Sequence, residues 1–487
     1  MKKNTYLKHL IVIISIILST FSFSSPSSAN TAQDGFSVLT GEITIESSKG
    51  FVGDEVKFTA SSLKPNQPVK LAWTTIDGSY ELQGIYTVIG PKYEEKEIEL
   101  LSGMTDAEGK WSSTFTVPKG FGGDHTLYVI QENNKVAQNT FFVAPKFTMQ
   151  PESGPVGTEI TISAEGIGWT NMESNWQLTY DNKMTGLISA ISTDGSATAT
   201  VRASGNVGKH NLTIWHGYLG VPYLNHEQAP TSYLPVPSFT FEVTDEKPIK
   251  KNEIGPIPKS AADGGIILPE IVNGEGVKVV LSKVEGTVGE PITLTGEGLP
   301  KNQQVSVVWY TMVGNRVTAA GFSEKPSELG QAKTDSKGKL AFNFAVPDDL
   351  GGVPHRIDLK IGDKVYGTTY LRILPTLVSM SPTSGPSGTE VTIEIKGSGW
   401  TEFDNAYYLT YDNAYMGYMC SFNSQGTLKF KMTVNGEPGH HLIDLYPGIY
   451  KGQKKVPDIY LAPQLTFEQD HPGSAMPVIN LGFDITK

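Results

Sequence analysis

The sequence predicts an all-β chain of four β-sandwiches arranged as a duplicated two-domain unit. Three observations carry that prediction. A long internal repeat divides the chain into matching halves. Short segments alternate apolar and polar residues with period two. Turns built on Gly, Asp and Asn separate those segments, and no stretch shows convincing 3.6-residue periodicity.

The repeat comes first because it sets the architecture. Residues 149–169 read MQPESGPVGTEITISAEGIGW and residues 380–400 read MSPTSGPSGTEVTIEIKGSGW, identical at 13 of 21 positions. The same offset of 231 carries Leu178-Thr179-Tyr180-Asp181-Asn182 onto Leu409-Thr410-Tyr411-Asp412-Asn413. Upstream, Thr105-Asp106 matches Thr334-Asp335 and Val117-Pro118 matches Val346-Pro347 at an offset of 229, and Trp73 matches Trp309. The order is therefore A-B-linker-A-B, with A and B different domains.

Strands follow from the alternation. Val69-Lys70-Leu71-Ala72-Trp73 and Gln304-Val305-Ser306-Val307-Val308-Trp309 turn one face inward and one toward water, as in half-buried antiparallel strands. Each domain opens with a Gly turn, as at Val52-Gly53-Asp54 or Val156-Gly157-Thr158. A polar Gly turn follows later, as at Asp106-Ala107-Glu108-Gly109 or Asp335-Ser336-Lys337-Gly338. Asp and Asn start tight turns and Gly accepts a positive φ, so these read as hairpins. A further strand in each domain carries a histidine: His125, His210, His355, and His440-His441.

Pro-x-Ser-Gly-Pro-x-Gly-Thr-Glu-[Ile/Val]-Thr-Ile followed by Gly-x-Gly-Trp resembles the opening of an IPT/TIG-type immunoglobulin-like domain. The later run of Tyr-Asp, Val-Pro and Gly-x-His elements resembles immunoglobulin-like repeats of bacterial secreted and cell-surface proteins. The resemblance covers most of each B domain and the A domains more loosely. It implies tandem immunoglobulin-like β-sandwiches and is unspecific for function, since such modules serve as spacers, adhesive tips, enzyme accessory domains and assembly units. The chain departs from the short form of the pattern by insertions at residues 77–104 and 313–333, and by aromatic extensions at residues 215–237 and 446–463.

The expected layout is a signal peptide at 1–29, domain A1 at 37–145, domain B1 at 146–245 and a Pro/Gly linker at 246–276. Domain A2 follows at 277–375, domain B2 at 376–470 and a C-terminal tail at 471–487. Pro248, Pro256, Pro258 and Pro269 make the linker partly extended, so the two halves are expected to pivot. The junctions near Pro145 and Pro375 are short, so A and B are expected to dock.

Lys2, Lys3 and Lys8 precede an apolar run over residues 10–23, and Ser27-Ser28-Ala29 offers small residues for cleavage. That is the pattern of a secretory signal. The run is short of the roughly 20 residues a spanning helix needs, so no membrane insertion is expected after cleavage. The expected location is secreted, with association at the cell surface as an option. Of 39 Lys and Arg residues, these three leave with the leader; 36 against 50 acidic residues gives a net charge of −14. An acidic surface opposes binding to the nucleic-acid backbone, so no nucleic-acid partner is expected. A single cysteine, Cys420, excludes any intrachain disulfide and thiolate zinc sites. Its apolar surroundings predict a buried, inert thiol.

No cofactor, metal site or catalytic constellation is expected. The histidines sit at matching places in their own domains, which marks a fold position. The acidic turns lack the ligand spacing of a calcium loop. Gly-x-Ser-x-Gly and phosphate-binding Gly loops are absent. The aromatic extensions are the candidate ligand-binding residues: Trp215, His216, Tyr218 and Tyr223 in B1, and Tyr446, Tyr450 and Tyr460 in B2. Exposed aromatic faces stack on sugar rings or anchor protein contacts. The alternative is that they pack over the sandwich end.

The reading is a non-catalytic secreted or cell-surface binding and adhesion protein, with an extracellular polysaccharide, cell-wall or protein ligand. A structural or assembly role is the alternative. It is motivated by the repeat and by segments at residues 30–36 and 475–487 that could add a strand to a neighbour, giving self-association. An extracellular carbohydrate-active enzyme is a third reading, and would need a deep polar cleft between A and B domains.

Overall fold

The computed structural model describes residues 39–83, 87–170, 172–218, 220–257, 268–315, 321–352, 354–399, 406–421, 425–448, 462–470 and 476–487. Side chains at 81–90, 218 and 314–322 are outside that description. The signal-peptide region therefore lies outside the described residues. The described chain is all-β apart from one 3-10 turn, His226–Gln228, and forms four immunoglobulin-like sandwiches.

The two A domains share one topology. In A1, strands Glu42–Ile45, Glu55–Ser61 and Trp111–Thr116 form a three-stranded sheet. Strands Lys49–Gly50, Asn134–Val143, Gly123–Gln131, Pro68–Gln83 and Thr87–Met104 form a five-stranded one, in that order. In A2 the same roles fall to Lys278–Leu281, Pro291–Glu297 and Leu340–Ala345, and to Glu285–Thr287, Lys364–Leu374, His355–Ile361, Gln304–Asn315 and Gly321–Lys333. Period two places the cores: Val56, Phe58 and Ala60 turn inward from Glu55–Ser61 to meet Trp73, Phe115 and Phe141. A fully buried side chain of this size stabilises by roughly 1.5–3 kcal/mol. Without a disulfide, such packing must hold each sandwich.

The B domains also match each other. B1 pairs a small sheet (Lys146–Gln150, Glu159–Glu165, Ala197–Arg202) with a large one. The large sheet runs Ser153–Gly154, Ser238–Val243, Gly208–Tyr218, Trp176–Tyr180, Lys183–Ile188. B2 pairs Thr376–Ser381, Thr389–Lys396 and Leu428–Val434 with a sheet running Glu253–Ile254, Ile479–Thr486, Gly439–Pro447, Ala406–Tyr411, Ala414–Cys420. In all four domains an early strand crosses over to lie parallel to the last one, as Ser153 does against Glu242 and Ser384 against Asp484. That crossing of the first strand between sheets fits an immunoglobulin-like sandwich.

Two expectations are corrected here. The segment expected to be a free tail holds Ile479–Thr486, which sits inside the large sheet of B2, hydrogen-bonded along Gly439–Pro447 on one side. Ile479, Leu481, Phe483 and Ile485 alternate into the core, so the strand is required to close the sandwich. The first part of the linker, residues 246–257, is not a free pivot either. Glu253–Ile254 pairs antiparallel with Asn480 and Ile479. The Ile249 N–H donates to Val156 O of B1 at 2.8 Å, and the Gly255 N–H donates to Val478 O of B2 at 2.8 Å. An extended backbone is what a sheet edge accepts.

The repeat histidines are clamps within each fold. In A1, His125 stacks on Trp73 with 4.5 Å between ring centres, and its two nitrogens lie 2.7 and 2.9 Å from Thr74 O and Phe121 O. In A2, His355 stacks on Trp309 at 4.5 Å and reaches Tyr310 O and Leu350 O. In the B domains the partner is a turn carboxylate: Asp181 for His210 and Asp412 for His441, each 2.6 Å from Nδ1. Their Nε2 atoms meet Asn206 O and Glu437 O.

A and B dock in the same way in both halves. Gly122 lies in a parallel bridge with Gly168, and Gly351 with Gly399. The Gly122 N–H donates to Ile167 O at 2.9 Å, and the Gly351 N–H to Ser398 O at 2.7 Å. A Cβ at Gly122 would lie 1.9 Å from Gly166 O, and one at Gly351 would lie 1.8 Å from Gly397 O. The Gly-x-Gly of the repeated motif is thus half of an interdomain joint. The other half is the Gly pair of the preceding A domain.

Candidate binding cleft between the two B sandwiches

The aromatic extension of B1 folds down onto its own domain. Trp215 is half-buried on the outer face of the large sheet, with Nε1 donating to Thr179 Oγ1 at 3.1 Å. His216 is fully buried beside Trp176 and stacks on half-buried Tyr223. Its Nδ1 lies 2.9 Å from Thr231 Oγ1 and its Nε2 lies 2.7 Å from His226 Nδ1. Burial, and secondarily His226, push its pKa below the ordinary histidine value. Tyr233 donates to Glu173 at 2.6 Å and packs on Phe142 of A1. Burial and that carboxylate raise its pKa. The backbone of Tyr218 pairs with Val221. Its side chain, Tyr450 and Tyr460 lie outside the described residues.

Tyr446 occupies the position in B2 that Trp215 holds in B1. It pairs across the sheet with Tyr408, as Trp215 pairs with Gln177. It is not an exposed loop residue: B1 covers it, and it joins the hydrophobic core of B1 together with Leu465. Burial raises its pKa well above the usual tyrosine value. The cause is a stacking of domains absent from sequence patterns. The small sheet of B1 lies on the outer face of the large sheet of B2.

A buried ion pair fixes that stacking. Arg202, the last residue of Ala197–Arg202, donates from Nε and Nη2 to Asp444 Oδ1 at 2.9 and 2.6 Å, and from Nη2 to Leu481 O at 2.6 Å. Asn480 Nδ2 also donates to Asp444 Oδ1 at 2.7 Å. Asn413 Nδ2 donates back to Arg202 O and Ser204 Oγ, both at 2.8 Å. On the far side, residues 463–470 of B2 line the edge strand Lys183–Ile188 of B1. The Leu187 N–H donates to Pro463 O at 2.7 Å and the Leu465 N–H donates to Leu187 O at 2.8 Å. The buried Asp470 carboxylate accepts from Ser189 Oγ and the Ile191 and Ser192 N–H groups at 2.7–3.0 Å.

A cleft of roughly 270 Å³ opens between these contacts. B1 supplies Glu159, Thr200 and Arg202, the linker supplies Lys251, and B2 supplies Tyr446 and Gln464. Lys251 Nζ donates to Glu159 at 2.7 Å and lies 3.4 Å from Glu253, an arrangement that raises the lysine pKa. Of the residues named from the sequence that the structure describes, Tyr446 reaches this cleft. Arg202, Asp444 and Gln464 were missed, yet a signal existed. At the repeat offset, Arg202 faces Thr433 and Asp444 faces Thr213. The pair is formed from residues that differ between the copies.

Cys420 is exposed, contrary to the expected burial. It lies on Ala414–Cys420, the last strand of its sheet, where alternation turns Met416, Tyr418 and Cys420 outward. Trp169 packs on Tyr93, and Trp400 lies outside the described residues. Among the described residues no helix is long and apolar enough to cross a membrane. None of their His, Cys, Asp and Glu side chains form a group of three suited to a metal ion.

No protein-family model and no curated protein matches the sequence. Among solved structures, a tetra-tandem repeat from the extending region of a large adhesion protein is similar at 10% identity and a TM-score of 0.19. That match covers 92% of this chain and 100% of the other. A putative membrane-anchored protein of Corynebacterium diphtheriae is similar at 10% identity and a TM-score of 0.18, covering 68% and 89%. A Salmonella alpha-2-macroglobulin is similar at 9% identity and a TM-score of 0.18. This chain is covered to 90% but spans only 30% of the macroglobulin. Similarity at this level assigns neither family nor function.

Proposed function

We propose that the chain is an exported, non-catalytic binding protein of a bacterial cell surface, with a carbohydrate, cell-wall or protein ligand. The supporting observation is the central B1–B2 body. The buried Arg202–Asp444 pair and the pinned linker hold two domains face to face around a solvent-open cleft. Rigid sandwiches that present a preformed concave site suit recognition. His125, His210, His355, His441 and His216 have both ring nitrogens within hydrogen-bond reach of structural partners, which supports the non-catalytic reading. The motif likeness to IPT/TIG-type domains agrees with a surface role. Retention of the purified chain on insoluble polysaccharides, isolated cell walls and whole cells is the test. Binding to at least one is expected, and passage of folded protein through all of them would overturn the reading.

Assembly is a second reading, favoured by one feature. Ala414–Cys420 ends its sheet with Met416 58% and Tyr418 50% exposed, and such an edge can receive another strand. Sedimentation over a concentration series separates the two, since a strict monomer would end the assembly reading.

A further inference from the structure

We propose that the groove at the A1–B1 junction binds an extended, acidic peptide segment containing proline. This rests on the binding reading above and gives it a partner class, at a place apart from the B1–B2 cleft.

The groove, roughly 430 Å³, is lined by residues of Lys49–Gly50 in A1 and of Lys146–Gln150 in B1. Each is the outermost strand of its sheet. Its apolar side chains are Phe51 from A1, Pro145 and Phe147 at the junction, and Tyr233, Pro235 and Pro237 from the B1 extension. Phe51 is 39% exposed and Tyr233 is 49% exposed, so both rings are open to a partner. Two cations border them. Lys49 Nζ lies 5.4 Å from the centre of the Phe142 ring, and Lys146 Nζ lies 5.9 Å from that of Phe51. Neither lysine pairs with a carboxylate among the described residues, and no acidic side chain lines the groove. An apolar groove flanked by two unpaired ammonium groups is complementary to an anionic partner with apolar side chains.

Chemistry narrows the class. A sugar needs several polar side chains to hold its hydroxyl groups. The one hydroxyl among the lining side chains, on Tyr233, is spent on Glu173 at 2.6 Å. Proline rings and apolar side chains need no such partners, and aromatic-lined grooves take extended proline-rich segments at low entropic cost. The net charge of −11 opposes nucleic acid and anionic membranes, so a short acidic segment is favoured over a long polyanion. The second half repeats the junction without this lining. Glu285 and Thr287 stand at the places of Lys49 and Phe51, and Thr376 stands at the place of Lys146. An acid replaces a base there, so the A2–B2 junction should reject the same peptide and the chain should hold one site.

Fluorescence anisotropy of labelled peptides against the full chain tests the proposal. The peptides are about nine residues long, roughly 28 Å in polyproline II form. Pro-Pro-Glu and Pro-Glu-Ala repeats are the probes, with Pro-Pro-Lys and Gly-Gly-Glu repeats as counterparts. At least one probe is expected to bind at one site per chain, at least about tenfold tighter than either counterpart, and more weakly as salt rises. K49E with K146E should abolish that binding, and F51S should weaken it about tenfold. All three side chains are exposed, so the variants should fold, and thermal unfolding checks that they do. Failure of both probes to bind, equal binding of the Pro-Pro-Lys repeat, or unchanged binding by the folded double variant would each overturn the proposal. Polygalacturonate that binds tighter than the probes, and is lost in the double variant, would reassign the groove to an acidic polysaccharide and overturn it as well. Retention of the parent on polysaccharides, cell walls and cells separates two failures. If the parent is retained but binds no probe, the groove is wrong and the binding role stands. If a probe binds and nothing retains the parent, the surface-binding role is wrong and the groove stands.

Discussion

Gly122→Ala should undock A1 from B1 while leaving each sandwich able to form. The added Cβ would sit 1.9 Å from Gly166 O, and contacts under 3.0 Å essentially never occur. The joint must therefore open by at least the difference, 1.1 Å, at a point where both sides are backbone. That movement breaks the 2.9 Å bond from the Gly122 N–H to Ile167 O. A buried donor left without a partner costs about 1–3 kcal/mol, and overpacking adds about 1–3 kcal/mol. The expected loss is about 2–6 kcal/mol of docking free energy. Gly53→Ala is the control in the same domain: its φ is +86° with nothing within 4 Å of the new Cβ, so only backbone strain of about 1–2 kcal/mol applies. Hydrogen exchange at residues 118–123 and 166–168, with small-angle scattering for the A–B arrangement, gives the readout. Faster exchange and a changed scattering profile are expected for Gly122→Ala alone. If it matches Gly53→Ala in both measurements, the argument from close approach is wrong. G351A should repeat the result in the second half, where the contact is 1.8 Å.

Three further outcomes follow from the same contacts. Arg202→Met leaves Asp444 buried without its partner and should cost about 3–5 kcal/mol, most of which R202M with D444L should recover; urea unfolding measures both. Burial holds the His125 pKa below its ordinary 6.5, so the unfolded chain takes up the proton first as pH falls. A1 should lose stability below pH 6.5, by no more than about 1.4 kcal/mol per pH unit, and H125Q should flatten that dependence in exchange measurements. His441 has the opposite sign. Burial opposes its charge, but the Asp412 hydrogen bond and charge and the Glu437 carbonyl raise its pKa above 6.5. Its contribution is fully present below pH 6.5 and fades as pH rises through the raised value, a trend that H441Q should remove. Cys420 should react with a thiol reagent in folded protein at the rate of an exposed thiol, and protection until unfolding would contradict its place on the sheet edge.

The fold was readable because its determinants are local. Alternation of Val56, Phe58 and Ala60, the turn at Asp181-Asn182 and the repeated Trp and His positions act within one domain and recur in its copy. The candidate site was not, because it depends on which faces of separate sandwiches meet. Nothing near Tyr446 in sequence shows that B1 covers it, and the alternation of Ile479, Leu481, Phe483 and Ile485 marks a strand without saying which sheet it closes. The last strand of B1 runs Ser-Phe-Thr-Phe-Glu-Val, and Gln464-Leu465-Thr466-Phe467-Glu468-Gln469 resembles it. In the structure this segment crosses to the edge of B1, and a later strand takes its place.

Duplication alone would give two equal halves, and the A–B joints are indeed equal, Gly122 on Gly168 and Gly351 on Gly399. Equal halves related by a free linker would have no reason to form a third, different joint. Three departures from equality create it: an arginine on the small sheet of B1, an aspartate on the large sheet of B2, and a displaced strand that sends residues 463–470 across to B1. Thr433 cannot replace Arg202 against a second Asp444, so the stacking of B domains stops at two and does not propagate into a filament by the same contact. The cleft arises only where that asymmetric joint forms. Recognition is therefore expected at an interface the repeat does not reproduce, and changes that restore equality, such as R202T, should weaken the joint that forms the cleft.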